Sequence, residues 1–171
     1  MNYFELFEIP VSLHVNPGSI QKKFYELSRK YHPDYYAQSG EAEKSEALEK
    51  SSMVNKAYKT FQNPDATIRY VLSLHNLIEE EEKYKLDPEF LMEVMEINEE
   101  LMDMDEEAGL KKTREKANQL LDRIYEEIKP LIENHDDNKA TNEELLKVKD
   151  YYFRKKYIQR ILDALDKKEG K

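Results

Sequence analysis

The sequence predicts an all-α protein, a helical hairpin followed by a three-helix bundle, and three observations carry that prediction. The 171 residues are 39% hydrophobic and 37% charged with only four glycines and six prolines, a balance that favours helices over strand-and-turn or fibrous architecture. Asn16-Pro17, Asn63-Pro64 and Asp87-Pro88 each set a capping side chain before a proline at the first helical position. Apolar residues recur at helical spacing, and no segment alternates as a strand does.

In chain order, a short helix opens at Asn2, with Glu5 three residues on as its capping-box partner, and Pro10 ends it. The second helix, from Pro17, carries an apolar stripe of Ile20, Phe24, Leu27 and Tyr31, and the third carries Val54, Ala57, Tyr58 and Phe61. Residues 76–86 contain the like-charge block Glu79-Glu80-Glu81-Glu82. They read as a solvated linker between a first domain, 1–75, and a second, 87–171. Three long helices follow, over residues 87 to about 106, about 107 to 135 and about 141 to 167, and three helices of similar length predict a bundle. Pro130 lies inside the middle one, but Ile124, Ile128, Leu131 and Ile132 continue through it, which predicts a kink and not a stop. Thr141 and Glu144 form a second capping box.

The net charge of -9 gives no global positive potential to draw in nucleic acid. With no cysteine the chain offers no disulfide, thiol nucleophile or thiolate metal site. No metal or cofactor is expected. Nor is an enzyme: no histidine has a glutamate three residues before it, as a di-iron bundle needs, and no nucleophile elbow or glycine-rich phosphate loop is present. Met1 to Glu5 has neither an apolar signal core nor an arginine-rich presequence, and no apolar run is long enough to span a bilayer. A soluble cytoplasmic protein without membrane contact is expected.

The second helix runs into Tyr31-His32-Pro33-Asp34. Proline disfavours helical dihedrals in the residue before it, so His32 should leave the helix and hold an imidazole and a carboxylate outward on a stiff corner. Such a carboxylate suits an arginine fork on another protein. The preceding helix adds Lys22, Lys23, Arg29 and Lys30 against only Glu26, a local basic strip on an acidic chain.

Tyr3-Phe4-Glu5-Leu6-Phe7, this basic helix, His32-Pro33-Asp34, the run from Val54 to Phe61 and Asn63-Pro64 occur in the order found in a J-domain, and residues 1 to 75 resemble one. The resemblance implies an antiparallel hairpin that docks through His32, Pro33 and Asp34, with Lys22, Lys23, Arg29 and Lys30, on an ATP-bound 70-kDa heat-shock chaperone to stimulate its ATP hydrolysis. Two departures are Tyr35, where a lysine often follows the tripeptide, and Thr67, where many J-domains place an arginine, with Arg69 nearby. Both are expected to tune docking.

The glycine/phenylalanine-rich linker and cysteine-based zinc modules of general-purpose J-domain proteins are absent. The order of Tyr70 to His75, an acidic junction and Asp87 to Glu93 instead resembles the HscB family, J-domain co-chaperones of iron-sulfur cluster assembly. On the helix from Asp87, the seam of Phe90, Val94, Ile97, Leu101 and Met104 is a complete core face. A second apolar line, Leu91, Met95 and Met102, stands about 120° around by the helical period, with Met92, Glu96 and Glu99 beyond it. On the last helix, Val148, Tyr151, Ile158, Ile161, Leu162 and Leu165 supply the seam, while Phe153 points away among Arg154, Lys155 and Lys156. Methionines beside an aromatic suit an adaptable protein-binding patch. By resemblance Leu91, Met92, Met95, Glu96, Glu99 and Phe153, with Asp103 one turn on, bind the iron-sulfur scaffold protein. Burial of Leu91, Met92 and Met95 against the first domain or the third bundle helix is the alternative. For function, the alternatives are a J-domain adaptor for another client and a structural helical adaptor without chaperone coupling.

Overall fold

The computed structural model describes residues 1–103 and 106–170, and five of the seven α-helices among them begin at a capping side chain, while those from Glu41 and Glu107 start without one. They are α1 (Tyr3–Leu6), α2 (Pro17–Lys30), α3 (Glu41–Gln62), α4 (Pro64–Leu74), α5 (Pro88–Asp103), α6 (Glu107–Glu133) and α7 (Asn142–Lys168), with one 3₁₀ turn at Pro33–Tyr36. No strand occurs among the described residues. The Asn16 side chain accepts the Gly18 N–H, and Asn63 accepts those of Asp65 and Ala66. Asp87 accepts the Phe90 N–H at 3.3 Å. Both capping boxes, Asn2/Glu5 and Thr141/Glu144, are closed.

The chain divides into two compact units, Met1–His75 with His135–Ala140, and Asn76–Asn134 with Thr141–Lys171. The 76–86 segment thus falls in the second unit, and 135–140, expected within the bundle, falls in the first.

In the first unit α1 ends at Leu6, four residues before Pro10, so proline is not the terminator that the sequence predicted. Glu8 instead adopts a left-handed φ of 54°. The Ile9 N–H then reaches the Phe4 carbonyl and the Glu8 N–H that of Glu5, the paired bonds of a Schellman stop. That turn buries Phe4 and Phe7 against Phe61 of α3, with ring centroids 5.0 and 5.3 Å away. Each such burial is worth about 2 kcal/mol. α2 and α3 form the predicted hairpin, clamped by Phe24 stacked on Tyr58 at 4.0 Å. Tyr3 stacks on Tyr70 at 4.4 Å and donates its N–H to the Tyr70 hydroxyl, whose pKa burial raises.

Residues 135–140 are held in this unit by a shared carboxylate. The ring Nε2 atoms of His75 and His135 lie 2.6 and 3.0 Å from Asp137 Oδ1. Burial pushes the Asp137 carboxyl up, but the two imidazole hydrogen bonds prevail and hold it below its usual range.

In the second unit the predicted seams pack against one another. Phe90, Val94, Ile97 and Leu101 of α5 are buried, as are Leu110, Leu120, Ile124 and Ile128 of α6. So are Val148, Tyr151, Ile158, Ile161, Leu162 and Leu165 of α7. The seam position predicted at Met104 lies outside the described residues. α6 runs through Pro130 to Glu133, as expected. Arg123 grips both Glu93 carboxylate oxygens at 2.9 and 2.8 Å, and Lys116 reaches Glu100 at 2.6 Å, so α6 takes two of the carboxylates of α5.

Residues 82–86 are not the solvated linker that the sequence predicted. Glu82 and Lys149 form an ion pair at 2.6 Å with side chains only 16% and 13% exposed, and Leu86 is buried. Glu79, Glu80 and Glu81 are exposed, in keeping with the prediction.

Candidate functional site

Two surfaces present side chains that the core does not use, one on each unit. On the first, Pro33 forces His32 into extended backbone, φ −62° and ψ 131°, as predicted. His32 then caps the 3₁₀ turn through its own ring. Nδ1 accepts the Asp34 N–H at 3.2 Å, so the neutral imidazole carries its proton on Nε2, at the far side of the ring from this bond. The Asp34 side chain is 89% exposed, with Oδ2 3.6 Å from Nδ1. Below the turn, the Tyr36 hydroxyl donates to the Lys30 carbonyl at 3.1 Å and locks the corner to the end of α2. A shallow pocket of about 750 Å³ opens beside it, lined by Tyr25, Ser28, Arg29, His32, Asp34 and Tyr35.

The basic residues do not form one strip. Lys22 and Arg29 share an exposed face that the helical period sets beside Tyr25. Lys23 stands about a quarter-turn away and pairs with Glu8 at 3.3 Å. Lys30, on that flank, sits over its neighbour Tyr31, 5.3 Å from the ring centroid. Thr67 is also placed differently from the expectation. It is 1% exposed, and its hydroxyl donates to the Thr60 and Asn63 carbonyls at the α3–α4 corner, so it stabilises that corner and has no access to a docking partner. Tyr35 is exposed, its ring edge-on to His32. Tyr25, also exposed, is a lining residue that the sequence reading passed over because it lies between two faces of α2.

On the second unit, α5 has two faces. Met92, Met95 and Met102 are 63%, 56% and 72% exposed, far too open to be core. Leu91 is half-buried. Glu96, Glu99 and Asp103 are exposed, and among the described residues none has a cation within ion-pair distance. The outward face is therefore methionine-rich with an acidic border. Phe153 is half-buried and is not the unpartnered ring that the sequence predicted, since Tyr84 stacks on it at 4.5 Å with planes 6° apart. Tyr84 is held in turn by its hydroxyl, which donates to Asp150 at 2.8 Å. Burial and that bond push its pKa to about 12. Sequence reasoning missed Tyr84 because the glutamate block beside it dominates the local composition. Among the described residues no group of three or more His, Asp or Glu is arranged to hold a metal ion, and no helix is long and apolar enough to cross a membrane.

A helical hairpin that presents an exposed His-Pro-Asp corner defines a J-domain protein, and residues 2–70 match the DnaJ domain family model. Residues 86–166 match the HSCB C-terminal oligomerisation domain. The co-chaperone protein HscB homolog of Acinetobacter baumannii is 31% identical over 169 residues, 99% of this chain and 91% of that protein. The chain belongs to the HscB co-chaperone family. The homolog of Photobacterium profundum is 39% identical over 105 residues, a match that covers 61% of each chain. The human iron-sulfur cluster co-chaperone protein HscB is 38% identical over 111 residues, which span 64% of this chain but only 47% of the human one. Among solved structures, chaperone HscB from Vibrio cholerae has a TM-score of 0.75 at 28% identity, covering 99% of this chain and 98% of its own.

Proposed function

We propose that this chain is a co-chaperone adaptor of iron-sulfur cluster assembly. It docks on the ATP-bound state of a 70-kDa heat-shock-type chaperone through His32, Pro33 and Asp34, flanked by Lys22, Lys23, Arg29 and Lys30. It carries the iron-sulfur scaffold protein on Leu91, Met92, Met95, Glu96, Glu99, Asp103 and Phe153. It works in the cytoplasm and is not itself an enzyme, with no part for nucleic acid or membrane. The observation that carries this reading is the exposed Asp34 carboxylate beside an imidazole whose Nδ1 is already engaged. The pair offers an acceptor and an Nε2–H donor in fixed geometry, with Arg29 alongside.

The mechanism needs two outward sites and no chemistry of the adaptor's own. Joining both partners to one chain raises the effective concentration of scaffold near the chaperone, and docking biases the chaperone toward hydrolysis and client capture. A single-turnover assay of chaperone ATPase tests the first site. His32→Gln should lower the stimulation by about tenfold or more, equivalent to about 1.4 kcal/mol of lost coupling, with the melting temperature unchanged. Stimulation that survives the substitution at the wild-type level contradicts the reading.

A further inference from the structure

Next to the methionine face, residues 82–86 and α7 enclose a pocket of about 360 Å³ that the assigned residues only partly explain. Its apolar wall is the stacked Tyr84–Phe153 pair with Leu91. Four exposed cations, Lys83, Lys85, Lys156 and Arg160, line it as well, together with Leu86 and Tyr157. Glu82, the one carboxylate among the lining residues, is already taken by Lys149 at 2.6 Å. Among the described residues, none of the four cations has a carboxylate within ion-pair distance. Lys156 and Arg160 lie one turn apart, and with Phe153 they share one side of α7.

Four cations around an aromatic wall, with no counter-charge, are an exception in a chain of net charge -9. An anion supplied from outside would offset their mutual repulsion. Its chemistry is set by the walls: a carboxylate to meet Lys156 and Arg160, on a short apolar stem that lies against the Tyr84 and Phe153 rings. We infer that this pocket receives an acidic side chain of the scaffold protein, so that the partner's surface must be bipolar. Its cations face Glu96, Glu99 and Asp103 on α5, and its carboxylate enters the cationic pocket at α7. Opposed charges at the two ends fix the partner's orientation, and a reversed partner meets like charge at both. The inference rests on the scaffold-binding reading above and adds the anionic group and the orientation to it.

Calorimetry of the full chain against the apo scaffold protein of the same organism, at low and high salt, tests this. The Lys156→Gln, Arg160→Gln double variant should bind roughly tenfold more weakly at low salt and lose most of the salt dependence. Lys156→Arg with Arg160→Lys, which keeps both charges, should retain near wild-type affinity. Unchanged affinity and salt dependence in the neutralised variant, while Met92→Ala weakens binding, overturns the pocket assignment and leaves the scaffold-binding reading intact. An equal loss in the charge-retaining variant also overturns it, because shape and not charge would then be read. Wild-type affinity in Met92→Ala, Leu91→Ala and Phe153→Ala alike overturns the scaffold-binding reading, and this inference with it.

Discussion

A few side chains set the outward corner of the first unit, and His32 shows how that geometry is made. Pro33 removes one backbone choice, the Asp34 N–H fixes the imidazole, and the Tyr36 hydroxyl pins the corner to α2. The ring is thus oriented before any partner arrives, which lowers the ordering cost of binding. Thr67 makes the opposite point. Because it is buried with both bonds directed to backbone carbonyls, Thr67→Arg should destabilise the first unit by about 2 kcal/mol or more through overpacking and a buried cation, a loss that denaturant titration would measure. Asp137 supplies a pH test. Its carboxyl is held low in the folded protein, so its contribution is fully present above the ordinary carboxylate range near about 4 and fades as pH falls through the lower folded value. Between pH 5 and 3 the wild type should therefore lose more stability than Asp137→Asn, whose amide oxygen can still accept from both rings but which has already forfeited, at neutral pH, the roughly 1 kcal/mol that the carboxylate charge adds to those bonds. Melting curves that fall in parallel would contradict the assignment.

At the scale of elements, the caps and stripes were legible in the sequence because they are local. Asn16, Asn63 and Thr141 cap through neighbours two or three residues away, and the seams of α5 and α7 follow from a fixed period. The outward line of Leu91, Met95 and Met102 was legible for the same reason, since a helix packed on one side leaves the other to solvent. What the sequence hid depends on contacts between distant residues. The Schellman stop at Glu8 is driven by burial of Phe4 and Phe7 on Phe61, and Lys23 meets Glu8, fifteen positions back, only once that turn exists. Tyr84 reaches Asp150 and Phe153 across more than sixty residues, a pairing that no local pattern encodes. Tyr84→Ala should cost the second unit about 2–3 kcal/mol by losing one hydrogen bond and one ring stack. It should also free the Phe153 ring, which denaturant titration and ring chemical shifts would report.

For the whole molecule, uneven distribution of charge matters more than its total. A chain of net charge -9 keeps Arg29 beside the His-Pro-Asp corner, with Lys22 further back on the same face of α2, an acidic border along α5 and a cationic pocket at α7. Two of these local fields are positive and one is negative, and on the proposed reading their dispersal over two units is what lets one chain hold two proteins at once. Leu91→Ala, Met92→Ala and Phe153→Ala should each weaken scaffold binding by about 1–3 kcal/mol without changing the stimulation of the chaperone by the chain alone. The central claim is that both sites must sit on the same chain. Mixing His32→Gln chains with Met92→Ala chains, in a single-turnover chaperone ATPase assay with scaffold present, tests it most directly. The account predicts that the mixture stays below the scaffold-enhanced wild-type rate at scaffold concentrations near the wild-type Kd, because no chain in it joins both partners at full strength. Full recovery of that rate by the mixture would contradict the account.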